Sequence, residues 1–215
     1  MKKPEIKKEW VKPLLNTRFL NVYDLNPNNS RKYFDASRRS LEDLVAVKSE
    51  EEFKNMLPDA VSIVLILEND GEEKLLLTHE YRYATGQELL SVPAGLIDAA
   101  DKEKEAPLFE TAIREVFEET GLQFKEGDEV SLVNPLLFST PGMSDESNGI
   151  VKVKLHNPDL STISADHSEG GEIFTGFDLL SKEEAKRILN QGMDDAGIFY
   201  SVYTWIGLAT FLLEL

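Results

Sequence analysis

The chain contains no cysteine among its 215 residues, which excludes disulfides and thiolate metal sites. Positive charge is scarce: 23 Lys and Arg stand against 39 Asp and Glu, a formal net charge of −16. That balance argues against a nonspecific nucleic-acid binder, whose affinity rests on clustered Lys and Arg. It leaves room for a small phosphorylated ligand whose charge a divalent metal neutralises locally. The basic start "MKKPEIKKEW" lacks an apolar run behind it, so a secretory signal is not expected and a cytoplasmic location is. Internal repeats and low-complexity linkers are also missing. A single uncharged run approaches membrane-spanning length, "AGIFYSVYTWIGLATFLL" from Ala196 to Leu213. Ser201, Tyr203, Thr204 and Trp205 interrupt its middle, and Ile198, Val202, Trp205, Ala209 and Leu212 recur at helical spacing. It therefore reads as a packed C-terminal helix with those five residues inward, and no membrane partner is expected.

What is present is enough apolar sequence, 41%, for one good core and a modest extension. The segments "TRFLNVYDL" and "RKYFDAS", split by "NPNNS", predict an antiparallel hairpin. Ser49 with Glu52 three residues on predicts a capped helix before Pro58. The continuous apolar run from Ala60 predicts a buried strand, joined through "NDGE" to "EKLLLTHEYR". "ELLSVPAGLI" reads as another strand. "PLFETAIREVFEET" reads as a helix with Pro107 in its first turn and Gly121 as its stop. Strand-like runs at "EVSLVNPLLFST", "GIVKVKLH" and "EIFTGFDLL" follow, then a helix capped by Ser181. Mixed strands flanked by helices read as a mixed sheet of α/β or α+β type. Trp10 is expected in a core.

The charged helix carries the chemistry. At 100° per residue, Glu115, Glu118 and Glu119 fall within an arc of about 100°. Phe109, Ala112, Ile113, Val116 and Phe117 lie on the opposite, core-facing side. Like charges at three- and four-residue spacing weaken an isolated helix. Divalent cations offset that repulsion, since Mg²⁺ takes carboxylates, phosphates and water. Taken alone, such a cluster also reads as a solvated acidic face.

The order Arg114-Glu115-Val116, then Glu118-Glu119, Gly121 and Leu122, preceded by "PAGLID", resembles the Nudix hydrolase family. The resemblance implies an α/β/α sandwich with a mixed sheet over residues 58–215 and a β-rich N-terminal dimerisation extension over residues 1–57. It implies Mg²⁺ or Mn²⁺ held by Glu115, Glu118, Glu119 and the Ala94 carbonyl, with Arg114 orienting the carboxylates. One departure stands out. Gly95 and Arg114 are five residues further apart than is usual, and Ala106 stands eight before Arg114, where the family has a supporting glutamate. The acidic insert "DAADKEKEA" thus reads as an enlarged loop at the mouth of the site.

Over most of its length the chain is similar to the ADP-ribose pyrophosphatase branch, through Arg82 before "PAG", the "STPGMSDE" loop, and "SEGGEIF". This likeness implies Glu172 as general base, with Glu169 as alternative, and Arg82 and Arg38 as contacts for diphosphate or ribose, Arg39 lying close enough to confuse the second assignment. At Ser91 the branch often has a glutamate. The implied reaction is Mg²⁺-dependent hydrolysis of ADP-ribose, or a related nucleoside diphosphate sugar, to AMP and ribose 5-phosphate in a homodimer. Alternatives are pyrophosphatase action on another nucleotide, such as a dinucleoside polyphosphate or coenzyme, or a module that senses ADP-ribose without cleaving it.

Overall fold

The computed structural model describes residues 5–26, 32–168 and 171–215. It divides into two compact units, Met1–Asp59 with Leu136–Asn148, and Ala60–Pro135 with Gly149–Leu215.

The first unit is built on three antiparallel strands, β1 (Lys12–Asn16), β2 (Asn21–Asp24) and β3 (Phe34–Ser37). The expected hairpin is β2 with β3, and part of its "NPNNS" connection lies outside the described residues. Strand β1 escapes sequence reading because it holds Pro13 and shows no alternation, every residue being exposed. Tyr23, Val11, Leu25 and Leu44 form this unit's small core. Trp10 is exposed rather than buried, with the Lys7 ammonium 5.2 Å from its ring centre. It lies in a single 3₁₀ turn, Lys8–Trp10, none of whose residues is buried. The helix α1 (Glu50–Lys54) has the expected capping box between Ser49 and Glu52.

The second unit holds most of a seven-stranded sheet, in the order β10-β5-β4-β9-β8, with β6 on β5 and β7 on β4. These strands are β4 (Ala60–Asn69), β5 (Glu72–Arg82), β6 (Gln87–Ser91), β7 (Ala94–Leu96), β8 (Glu129–Phe138), β9 (Ser147–His156) and β10 (Phe174–Leu180). Asp70 and Gly71, at φ 53° and 82°, make the tight turn between β4 and β5, the geometry such hairpins favour. Helices cover both faces, which is why β4 reads as one apolar run instead of an alternation. Val61, Ile63, Leu65 and Leu67 pack with Ala112 and Val116 of α3 (Pro107–Thr120). The alternate residues of β4 face the side where α5 (Val202–Leu213) lies, and α4 (Lys182–Gln191) packs on β5 and β10.

Two expectations are corrected. "ELLSVPAGLI" is two strands, since Pro93 has no N–H for a ladder. The chain changes partner there, from β5 to β4, and the Pro93 carbonyl accepts from the Ile63 N–H at 2.8 Å. The C-terminal helix starts only at Val202, after the Ser201 cap, and buries Thr204, Gly207, Leu208, Thr210 and Phe211. Val202 and Trp205, expected inward, are about half exposed, at 53% and 50%. Small residues decide the face. Thr204 Oγ1 donates to the Leu90 carbonyl at 2.9 Å, and a Cβ on Gly207 would lie 2.6 Å from Val92. A bulky side chain cannot enter so close a helix–sheet contact. Among the described residues no helix is long and apolar enough to cross a membrane.

Candidate active site

Helix α3 turns Glu115 and Glu119 inward, not to solvent. Glu115 and Glu119 are 8% and 4% exposed, and Glu118 is partly covered. The reason lies in the Pro93 crossover, which lays β7 beside the helix and puts the Ala94 peptide against it. The Ala94 N–H donates to Glu119 Oε1 at 3.3 Å. Arg114 Nη1 meets Glu118 Oε2 at 2.7 Å and Glu115 Oε1 at 2.8 Å. Its Nη2 also donates to the Leu96 carbonyl at 3.1 Å. Phe117 was expected on the core side and is instead at the surface, its ring stacked on His167 with centroids 4.8 Å apart. The helix core face is narrower than the sequence predicts because the flank holding Glu115 and Glu119 is buried as well.

The insert supplies a residue that the sequence reading missed. Ala99–Lys102 forms a helical turn, α2, and Asp101 within it is 7% exposed. Its Oδ2 accepts from Arg114 Nε at 3.3 Å, Arg114 Nη2 at 3.2 Å and Thr111 Oγ1 at 3.2 Å. Asp101 thus fixes the arginine that fixes two of the three glutamates. The signal was present. Counted forward from Gly95, Asp101 stands where the supporting carboxylate belongs, so the extra residues follow it, and Ala106 is merely where counting back from Arg114 leads. Asp101→Asn is expected to raise the half-saturating Mg²⁺ concentration for activity on the order of tenfold. A metal titration of the variant checks this, with a thermal melt close to wild type expected alongside.

A second group of side chains comes from β5. Glu80, at 4% exposed, and Arg82 share the face of β5 that carries Leu76 toward α3. Arg82 Nη2 lies 2.6 Å from Glu80 Oε2. Glu172 is near enough for its charge to be felt by Glu80, Glu115 and Glu119, and it in turn feels Arg82 and Glu118. Glu169 lies outside the described residues. Arg38 belongs to the first unit, where it pairs with Glu146 at 3.0 Å. Its neighbour Arg39 is buried among Asp59, at 2.8 Å, and Asp43, at 3.1 Å, so of the two only Arg38 retains an exposed guanidinium.

These groups repel one another strongly. Burial lifts the Glu115 carboxyl to about 7, against the pull of Arg114, with Glu118 and Glu172 adding to the rise. Glu119 is also raised well above its ordinary value, by burial first and then by Glu172, opposed by the Ala94 N–H, with Glu115 and Glu80 adding. Glu80 and Glu172 are also raised, each mainly by burial, with Arg82 working against the rise. Glu80, Glu115, Glu118, Glu119 and Glu172 thus share Arg82 and Arg114 with Asp101, six carboxylates to two arginines, an arrangement that a divalent cation would relieve. The donors are all oxygen, which suits a hard cation such as Mg²⁺ or Mn²⁺. Gly95 makes the same point sterically, since a Cβ there would lie 1.8 Å from the Glu115 carboxyl. Glu115, Glu118 and Glu119 do not converge on one point: Arg114 draws two aside and the Ala94 N–H the third. Among the described residues, the group with donor atoms gathered within 4.8 Å is His79, Asp178 and Asp194. His79 points to the other face of β5, so that group is separate from the glutamates.

The fold is that of a crystal structure titled ADP compounds hydrolase, at a TM-score of 0.57 and 16% identity over 95% of this chain and 92% of that one. In sequence the chain is 36% identical over 98 residues to Nudix hydrolase 14, chloroplastic, of Arabidopsis thaliana, covering 42% of this chain and 30% of that protein. It is 38% identical over 84 residues to the ADP-ribose pyrophosphatase of Mycobacterium tuberculosis, covering 39% of this chain and 37% of that protein. The matches span less than half the length of these relatives. The NUDIX domain model matches residues 56–192, which include Ala94, Asp101, the whole of Arg114 to Leu122 and Glu172. With that match across most of its length and the carboxylate helix in place, this chain belongs to the Nudix family.

Proposed function

We propose that the chain hydrolyses the diphosphate linkage of ADP-ribose, or of a related nucleoside diphosphate sugar, giving AMP and ribose 5-phosphate. The observation that carries this reading is the buried pair Glu115 and Glu119 with the partly covered Glu118 on one helix, and Arg82 and Glu172 beside them. Relatives named ADP-ribose pyrophosphatase and ADP compounds hydrolase support the substrate class. Glu115, Glu118 and Glu119, with the Ala94 carbonyl, would hold Mg²⁺ or Mn²⁺. When bound, such a cation lowers the pKa of water and neutralises charge growing on the diphosphate oxygens. Arg114 holds Glu115 and Glu118 in place. Arg82 offers N–H groups in a planar fork suited to phosphate oxygens, and Arg38 is assigned the same task. Glu172 accepts the proton of the attacking water, a role suited to a carboxyl raised above its usual range.

Incubation with ADP-ribose, with and without Mg²⁺, followed by nucleotide chromatography, tests the proposal. AMP is expected to accumulate with metal and to stop on addition of EDTA. Cleavage confined to a dinucleoside polyphosphate or a coenzyme would move the substrate assignment, and binding of ADP-ribose without AMP release would make the chain a sensor. Residues 1–57 are assigned to dimerisation, supported by the exposed apolar side chains Leu14, Leu15, Phe19, Leu20 and Phe34. Light scattering should report twice the 24.2 kDa of one chain.

A further inference from the structure

We infer that Glu80 is a positioning residue, holding the Arg82 guanidinium in one orientation for the anionic part of the substrate. The inference rests on the functional reading above for its substrate, and on geometry for everything else. Glu80 is 4% exposed, whereas the Arg82 side chain is 47% exposed. One partner of a 2.6 Å ion pair is therefore locked in the protein and the other faces outward. The pair stands two residues apart on one strand, so the pleat aims both side chains to the same side. On the neighbouring strand Ser91, paired with Thr78, lies close enough to the Glu80 carboxylate to favour its charged form. Ser91 itself is 5% exposed.

Stability alone does not account for a carboxylate at this position. Glu80 is surrounded by Glu119 and Glu172, whose charges oppose its own. Burying a charge is costly, and one partly exposed arginine repays only part of that cost. An amide or apolar residue would sit there with less conflict. What the carboxylate provides is an anchor. A free arginine side chain samples many rotamers and loses that freedom on binding, while one already fixed by a buried partner does not. With one N–H group committed to Glu80, the remaining N–H groups of Arg82 stay available at the surface, on the face of β5 turned toward α3.

Two measurements test the inference on Glu80→Gln, which keeps the side-chain shape. The first needs no substrate: ¹⁵N relaxation of the arginine Nε–H groups, with the Arg82 signal assigned by its loss in Arg82→Lys. Arg82 is expected to be rigid in the wild type and mobile in Glu80→Gln, with an unchanged or higher melting temperature. Equal mobility in both proteins overturns the inference whatever the enzyme cleaves. The second is kinetic. KM for ADP-ribose is expected to rise roughly tenfold with kcat little changed, as for lost positioning of a binding group. In the Arg82→Lys background the same substitution should add almost nothing, because the two act as one unit. Independent, additive losses would overturn the inference. If the wild type leaves ADP-ribose intact while Arg82 still loosens in Glu80→Gln, it is the substrate assignment that falls.

Discussion

Glu119→Gln and Glu118→Gln are each expected to abolish most turnover while leaving the fold intact. A lost metal ligand removes several kcal/mol of transition-state stabilisation, a fall on the order of 10³-fold in kcat. Glu119 is the sharper case because its two effects have opposite signs. Its carboxyl is buried and hemmed by Glu172, Glu115 and Glu80, so its charged form is disfavoured in the metal-free fold. A folded-state pKa raised above the unfolded value means the fold binds more protons there, and stability declines as pH rises. For Glu115 the window runs from its ordinary 4.5 to about 7. The metal-free wild type should therefore lose stability across that range, and Mg²⁺ should restore it by binding the folded state alone. Glu119→Gln should melt no lower than the wild type in EDTA near pH 8, and gain less from Mg²⁺. Thermal melts against pH, with EDTA or Mg²⁺, read all of this alongside the assay. Wild-type turnover in either variant would end the metal assignment.

Gly95→Ala is the second large effect, and it comes from a single methyl group. The added Cβ would lie 1.8 Å from Glu115 Cδ and Oε1, and 2.4 Å from Oε2. Two atoms cannot approach so closely, so one must leave. The mobile partner is the end of the Glu115 side chain, whereas Gly95 is held by its pairing with Val61. The carboxylate would be driven away from Arg114 and from the metal position. A displacement of about 1 Å at a reacting centre costs on the order of 10²-fold, and this one is larger. The loss should fall on kcat and on Mg²⁺ affinity, with only a small drop in melting temperature because the backbone stays put. A folded Gly95→Ala protein with undiminished kcat would mean that Glu115 is not needed where the structure places it.

The residues differ in how far the sequence alone exposed them. Glu115, Glu118, Glu119 and Arg114 were legible because helical spacing puts them together whatever the rest of the chain does. The capped helices at Ser49 and Ser181, the turn at Asp70 and Gly71, and the stop at Gly121 were legible for the same reason, being local. Asp101 was hidden because the extra residues lie between it and Arg114, so that counting back from the arginine leads to Ala106 and only the forward count from Gly95 reaches it. Glu80 was missed because a lone acidic residue on a strand is ordinary. Its meaning comes from burial against a neighbouring strand and from the charges of two other elements. The C-terminal helix was placed correctly in kind but with the wrong face inward, since periodicity sees hydrophobicity and not the close approach that favours Thr204 and Gly207.

The sequence by itself determined the fold class, the carboxylate-bearing helix and the likeness to one enzyme family, all of which depend on local spacing and apolar pattern. Only the tertiary structure decided that the acidic face is buried, that the insert contributes Asp101, and that Glu80 stands behind Arg82. The physical reason is common to all three. Burial and charge coupling are properties of groups brought together by folding, and they scale with distance in space, not with separation along the chain.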